Sequence, residues 1–88
     1  MTVHLEIKGK VQGVFFRATA GKIAEENNLT GWIRNKVGGN VEAMVNGQKE
    51  NVELFINWCK EGPKNAIVYE VAITNLEETA FKGFIVKR

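Results

Sequence analysis

Several residue types that support common functions are scarce in this sequence. Its 88 residues include one cysteine, one proline and one histidine. The lone cysteine, Cys59, cannot form a disulfide within the chain, so nothing indicates an oxidising compartment. No His, Cys, Asp and Glu residues occur together at the spacing of metal ligands, and the glutamate pairs at 25–26 and 77–78 are expected to be solvated. The sequence therefore predicts neither a disulfide framework nor a metal site.

Long apolar runs and a strong charge of either sign are also absent. No run approaches the length of a membrane span, and Met1 to Lys10 contains no apolar segment typical of a signal peptide. The net charge is +2, and no dense Lys/Arg segment is present that would attract nucleic acid. We therefore expect a cytoplasmic protein that binds neither a membrane nor a nucleic acid.

The composition is that of an ordinary globular chain. Hydrophobic residues make up 44% of the sequence and charged residues 25%. No internal repeat, low-complexity segment or linker interrupts it. Residues 1–88 are therefore expected to form a single domain. A monomer is expected, because no exposed apolar stripe is evident.

The hydrophobic period changes regularly along the first half. Alternating apolar residues predict a first strand around residues 3–7. Apolar residues at helical spacing from Phe16 to Ala24 predict an amphipathic helix that ends at Asn27-Asn28. Leu29 to Asn35 is rich in β-forming residues and predicts a second strand. Alternation returns at residues 41–45 after a glycine-containing turn and predicts a third.

The second half continues with one helix and two strands. Apolar residues at helical spacing predict a helix at about 49–61, which Gly62-Pro63 ends because proline cannot continue a helix. Ala66 to Asn75 predicts a fourth strand, and Gly83 to Lys87 a short edge strand. Four apolar residues of the fourth strand are expected to share one face, namely Ile67, Tyr69, Val71 and Ile73.

This order of elements predicts an α+β fold. The pattern βαββαβ followed by a short C-terminal strand is typical of the ferredoxin-like split βαβ sandwich, in which two helices cover one face of an antiparallel sheet. Because that architecture supports many unrelated activities, the function has to be inferred from a site.

A candidate anion site lies in the segment KVQGVFFR, Lys10 to Arg17, which joins the first strand to the first helix. Backbone N–H groups at a helix start have no partner within the helix and carry partial positive charge. Gly13 permits close approach of a ligand, and Arg17 adds a planar set of donors that matches phosphate oxygens. The residues of this phosphate cradle are Gln12, Gly13, Val14, Phe15, Phe16 and Arg17. From these features alone, an arginine in a first helical turn is more often a solvated surface residue than an anion ligand.

Two motifs resemble those of the acylphosphatase family. Ile7 to Arg17, IKGKVQGVFFR, resembles the family pattern V-x-G-x-V-Q-G-V-x-F-R. Leu29 to Asn35, LTGWIRN, is similar to its L-x-G-W-V-R-N. The likeness continues in order as far as Gly83 to Val86. One departure is Gly38-Gly39, where the family often has Asp-Gly, and both dipeptides suit a tight turn.

The resemblance implies hydrolysis of a small acyl phosphate to a carboxylate and inorganic phosphate, with no metal or cofactor. It implies that Arg17 binds the phosphoryl group and that Asn35 positions the attacking water. Inorganic phosphate is then expected to be both product and inhibitor. A carboxylate leaves without being protonated, so catalysis requires chiefly positioning and charge stabilisation rather than a strong general acid.

Other conspicuous residues are expected to be structural. Cys59 falls on the apolar stripe of the second helix, and Trp32 and Trp58 are interpreted as packing residues. His4 alternates out of phase with the buried residues of the first strand and is expected to be exposed. Arg34 is expected on the opposite side of its strand from Asn35.

Three other functions are alternatives to this one. An RNA-binding module of the same fold would expose aromatic residues on its central strands, and residues 40–45 contain none. A relative that only binds would keep Arg17 and sense an anionic metabolite without turnover. A third alternative is a carbamoyl-phosphate-handling module similar to the N-terminal domain of hydrogenase-maturation carbamoyltransferases. Those proteins are large and multidomain, so the end of this chain at Arg88 favours a free-standing enzyme.

Overall fold

Five strands and two helices follow one another in the predicted order. The computed structural model describes residues 1–88. The elements are β1 (Thr2–Lys10), α1 (Phe16–Glu26), β2 (Thr30–Asn35), β3 (Val41–Asn46), α2 (Lys49–Glu61), β4 (Ile67–Leu76) and β5 (Phe84–Val86). The ferredoxin-like α+β arrangement is confirmed.

The strands form one sheet in the order β4-β1-β3-β2-β5. The four longer strands pair antiparallel, as predicted, but β5 pairs in parallel with β2, with Gly31 opposite Phe84. The sheet is therefore mixed. The reason lies in the route of the chain, because β4 ends at the end of the sheet where β2 begins. A segment that crosses there to the far edge must run in the same direction as β2.

The hydrophobic core lies between the sheet and the two helices. Alternate residues of β1 are fully buried, and Phe16 and Phe55 are the largest buried side chains from the helices. The Trp58 ring packs against Phe16 with a centroid separation of 5.1 Å, as its interpretation as a packing residue requires. Cys59 is fully buried in the same core, and burial raises the pKa of its thiol. Neither helix is long and apolar enough to cross a bilayer.

The predicted common face of β4 is wrong. Ile67 and Tyr69 are 50% and 71% exposed, whereas Val68 and Val71 pack against the core. The register against β1 shifts between Lys8 and Gly9, so Tyr69 is an extra residue without a partner. Because the bulge adds one residue, the alternation of side chains between the two faces of the sheet shifts by one position at Tyr69.

The sheet face away from the helices carries a polar network. The Arg34 Nε and the His4 Nε2 each lie 2.7 Å from an oxygen of the Glu42 carboxylate. The Lys87 ammonium lies 4.4 Å from the centroid of the Trp32 ring. Arg34 therefore lies on this open face, which confirms that it is separated from the face that bears Asn35.

Candidate active site

The candidate site lies where β1, β2 and β5 end and α1 begins. These segments enclose an open cleft with a volume of about 490 Å³. The residues that line it are Val11, Gly13, Phe15, Phe16, Arg17, Ala18, Asn35, Val86 and Arg88. Predicted site residues from two segments far apart in sequence, Arg17 and Asn35, are thus brought to one cleft.

The backbone of the loop before α1 has an unusual conformation. Gly13 has a φ of 76° and Phe15 a φ of 63°, both left-handed, while Val14 between them does not have a positive φ. Alternation of this kind turns successive N–H groups towards one concave side and forms an anion-binding nest. A left-handed conformation costs a bulky residue about 1–3 kcal/mol, and such strain concentrates at functional sites. Phe15 is therefore held in a conformation that its own side chain disfavours.

The N–H groups of this loop are available to a ligand. The first N–H of α1 that donates to another backbone group belongs to Thr19, whose partner is the Phe15 carbonyl at 3.1 Å. The N–H groups of residues 12–18 donate no hydrogen bond within the protein. No side chain caps the helix, and no acidic residue lies in its first turn. The partial positive charge of the helix end is therefore uncompensated.

Arg17 is positioned by the C-terminal strand. Its Nη1 donates a hydrogen bond to the backbone carbonyl of Lys87 at 2.7 Å. Arg17 forms no ion pair, and no acidic side chain lines the cleft. A guanidinium has five N–H donors, so one hydrogen bond to Lys87 leaves most of them for an anion.

Asn35 is the last residue of β2 and is half-buried. Because side chains alternate along a strand, it points to the same face as the core residue Ile33. The Asn35 side chain forms no hydrogen bond within the protein. The side-chain hydrogen bonds around it are made by Gln12, Arg34, Lys36 and Asn40. Its amide is therefore free to bind a water or a ligand in the cleft.

Gln12 performs a task that sequence reasoning missed. Its Nε2 donates to the backbone carbonyls of Lys36 and Asn40, each at 2.8 Å. The Gln12 side chain therefore ties the cradle loop to the turn that follows Asn35 and does not line the cleft. Val14 does not line the cleft either, because its side chain packs against the core. Both residues can contribute only their backbone N–H groups to a ligand.

The same turn is held from the open face of the sheet. Glu6 accepts hydrogen bonds from Asn40 Nδ2 at 2.9 Å and from Lys36 Nζ at 3.0 Å. These bonds, the one from Asn40 first, hold the pKa of Glu6 below its ordinary value. The turn immediately after Asn35 is thus held twice, because its backbone accepts hydrogen bonds from Gln12 and its Lys36 and Asn40 side chains donate hydrogen bonds to Glu6.

Three contributors to the cleft come from the end of the chain and were not predicted. Val86 and Arg88 line the cleft, and the Lys87 carbonyl accepts the hydrogen bond from Arg17. No pattern in the sequence signals them, since they reach the cleft only because β5 runs parallel to β2.

Comparison with known proteins identifies relatives over almost the whole chain. The sequence model of the acylphosphatase family matches residues 3–86. A protein of Trichormus variabilis named acylphosphatase is 43% identical over 86 residues, which is 98% of this chain and 85% of the relative.

Solved structures agree with this match. An acylphosphatase from Coxiella burnetii superposes with a TM-score of 0.93 at 37% identity, covering 98% of this chain and 90% of that one. Full-length HypF in a phosphate- and nucleotide-bound form superposes with a TM-score of 0.90 at 31% identity. The match to HypF covers 99% of this chain but only 12% of that protein.

Proposed function

Because the chain belongs to the acylphosphatase family and is an enzyme of that kind, we propose that its cleft hydrolyses small acyl phosphates through Arg17, Asn35 and the amides of the phosphate cradle. The observation that carries this proposal is the meeting of three features in one cleft. These features are a guanidinium that forms no ion pair, a free carboxamide and a run of N–H groups without partners.

The phosphoryl group binds in the cradle. Its equatorial oxygens accept hydrogen bonds from the N–H groups of residues 12–17 and from the Arg17 guanidinium. In phosphoryl transfer, negative charge spreads over these oxygens in the transition state. Donors that are fixed in advance stabilise this charge without reorganising, which is usually the largest contribution to catalysis. The anchors of the cradle, namely the Lys87 carbonyl and the Gln12 amide, support this role.

Asn35 positions the attacking water. Its carboxamide oxygen accepts a hydrogen bond from the water and fixes the orientation of the water in line with the leaving group. A carboxylate at this position would repel the incoming anion, whereas an amide carries no charge. The hydrogen bonds that hold the Lys36–Asn40 turn keep the backbone of Asn35 in place.

No strong acid is required for the leaving group. The carboxylate departs as a stable anion, and the bond to phosphorus breaks as the water oxygen bonds to it. The proton of the attacking water passes to a phosphate oxygen of the substrate itself. Because cations and an amide line the cleft and no acidic side chain does, the reaction is proposed to proceed without a metal ion.

Turnover of benzoyl phosphate tests the proposal, with p-nitrophenyl phosphate as the control. We expect rapid loss of benzoyl phosphate, little loss of p-nitrophenyl phosphate and no effect of EDTA. Hydrolysis of neither compound would leave a protein that only binds anions. Activity lost in EDTA and restored by Mg²⁺ would contradict the metal-free mechanism. Carbamoyl phosphate, assayed in parallel, tests whether the cleft also accepts the substrate of the carbamoyl-handling alternative.

A further inference from the structure

Phe15 combines two features that are individually unfavourable. It is 81% exposed, and it adopts a left-handed conformation with φ 63° and ψ 25°. Gly or Asn would satisfy the same backbone without strain, as Asn28 does at the end of α1. The nest explains the backbone of Phe15 but not its ring. A strained, exposed aromatic side chain at the edge of a binding cleft calls for a contact with the ligand.

Both polar and apolar residues line the cleft. Arg17, Asn35 and the cradle amides are the polar groups, to which the phosphoryl group binds under the proposed function. Phe15, Ala18 and Val86 are apolar residues of the same lining. A volume of about 490 Å³ lies in the range of sites that hold whole small molecules, which is about 300–1,000 Å³. The cleft therefore has room for the acyl group as well as the phosphate.

We propose that Phe15 is a specificity-determining residue that receives the acyl group of the substrate and favours acyl phosphates with apolar, above all aromatic, acyl groups. This inference rests on the proposed function. Phe15 is one of the residues that form the nest, so its ring lies next to the position of the phosphoryl group. An aryl group joined to the carbonyl carbon would then reach the Phe15 ring and stack against it in an offset or edge-to-face arrangement.

The expected kinetic effect differs from that of Arg17 or Asn35. The aryl group does not change charge during the reaction, so Phe15 contacts it equally in the ground state and in the transition state. Such uniform binding lowers KM and leaves kcat nearly unchanged. Aromatic contacts of this kind correspond to a factor of about three to ten in affinity.

The test compares benzoyl phosphate with acetyl phosphate in wild type, Phe15→Asn and Phe15→Tyr. Asn accepts the left-handed backbone and removes the ring, whereas Tyr keeps the ring. We expect the ratio of kcat/KM for benzoyl over acetyl phosphate to fall about three- to tenfold in Phe15→Asn, mainly through the KM of benzoyl phosphate. Phe15→Tyr should keep the wild-type ratio. Tyr69→Asn removes another largely exposed ring, which does not line the cleft, and is the matched control.

The outcomes separate this inference from the proposed function. If wild type hydrolyses neither substrate, the proposed function itself fails. If both are hydrolysed and Phe15→Asn leaves the ratio unchanged, the role of Phe15 in binding the acyl group is wrong. A parallel loss for both substrates, together with weaker inhibition by inorganic phosphate, would also overturn it. In that case Phe15 would act on the cradle backbone and not on the acyl group.

Discussion

The guanidinium of Arg17 is held by the backbone carbonyl of Lys87, to which its Nη1 donates at 2.7 Å. The N–H of Lys87 in turn donates to the carbonyl of Ile33 in β2 at 2.8 Å. Asn35 lies two residues further along the same strand. The parallel pairing of β5 with β2 therefore connects the two residues that we propose as catalytic, and it holds the Arg17 guanidinium in place.

Replacement of Arg17 by lysine should impair the enzyme severely. Lysine keeps the charge but cannot donate to Lys87 and to two phosphate oxygens with fixed parallel geometry. We expect kcat/KM for benzoyl phosphate to fall by a factor on the order of 100 or more, with weaker inhibition by phosphate. Steady-state kinetics would measure both effects. Arg34→Lys replaces an arginine on the open face and is the control. Its kcat/KM should stay within about twofold of wild type, as expected of a surface change. Near-wild-type activity of Arg17→Lys would show that only its charge matters.

Inorganic phosphate should stabilise the folded protein. A ligand that binds only the native state raises the free energy of unfolding by about 1.4 kcal/mol at ten times its dissociation constant. For a domain of this size, that corresponds to a rise in Tm of about 5–10 °C. Thermal unfolding in phosphate and in chloride of equal ionic strength would measure the shift. Arg17→Ala should lose most of it, and an equal shift in that variant would place the phosphate elsewhere.

The order of elements could be predicted from the sequence because the hydrophobic period is a local property. The change between periods of 2 and 3.6 residues, together with the β-forming residues of β2 and the short apolar segment of β5, predicted every strand and helix, and α2 was predicted with its observed bounds. The face of β4 could not be predicted, since the extra residue Tyr69 depends on the register against β1. The parallel pairing of β5 depends equally on a partner far away in sequence.

The candidate site was predictable in part for the same reason. Helix-start amides and an arginine can be recognised locally, and the motifs brought Asn35 into the prediction. The left-handed conformation of Phe15 could not be foreseen, because a bulky residue gives no signal for it. Likewise, the carbonyl partners of Gln12 and the contribution of Arg88 arise from contacts between segments more than twenty residues apart.

Stability should fall at acid pH in part through Glu6. Hydrogen bonds from Asn40 and Lys36 lower the pKa of Glu6 in the folded state, so the unfolded chain binds its proton more readily. The resulting stabilisation is present above about pH 4.5, the ordinary value for this group, and is lost as the pH falls below it. The glutamine of Glu6→Gln cannot titrate, and the free energy of unfolding of this variant should be about 1 kcal/mol below that of wild type at pH 7.

Urea unfolding between pH 7 and pH 3 would test this. The difference in the free energy of unfolding between wild type and Glu6→Gln should become smaller as the pH falls. Glu53→Gln, which removes an exposed carboxylate that forms no ion pair, is the control and should follow wild type. A gap between wild type and Glu6→Gln that stayed constant with pH would contradict the role of the Glu6 charge.

Gly31 should tolerate no side chain. Its φ is 134°, and a Cβ there would lie 1.9 Å from the backbone oxygen of Met44 in the neighbouring strand. Relief requires β2 and β3 to separate, so we expect Gly31→Ala to destabilise the protein by about 3 kcal/mol or more. Gly38 also has a positive φ but faces open space, and Gly38→Ala should cost about 1 kcal/mol. Chemical denaturation would measure the free energy of unfolding of both variants. An equal decrease in Gly31→Ala and Gly38→Ala would mean that backbone strain, and not the contact with Met44, causes the destabilisation.

Asn35→Ala should separate binding from chemistry. Under our proposal Asn35 contacts the attacking water and not the phosphoryl group, so its loss should lower kcat by a factor on the order of 100. The inhibition constant of phosphate should remain close to wild type, because Arg17 and the cradle amides are unchanged. Asn40→Ala is an informative comparison, since it disturbs the turn after Asn35 without removing a residue of the cleft.

Two results would contradict this role of Asn35. If Asn35→Ala weakened phosphate inhibition as strongly as Arg17→Ala does, Asn35 would be a ligand of the phosphoryl group. If it kept full turnover, another group would orient the water. Circular dichroism and the denaturation midpoint must accompany the kinetics, because Asn35 ends β2 and a local loss of structure would lower kcat and phosphate affinity together. Only a loss of kcat in a folded variant with unchanged phosphate inhibition fits the positioning of a water molecule.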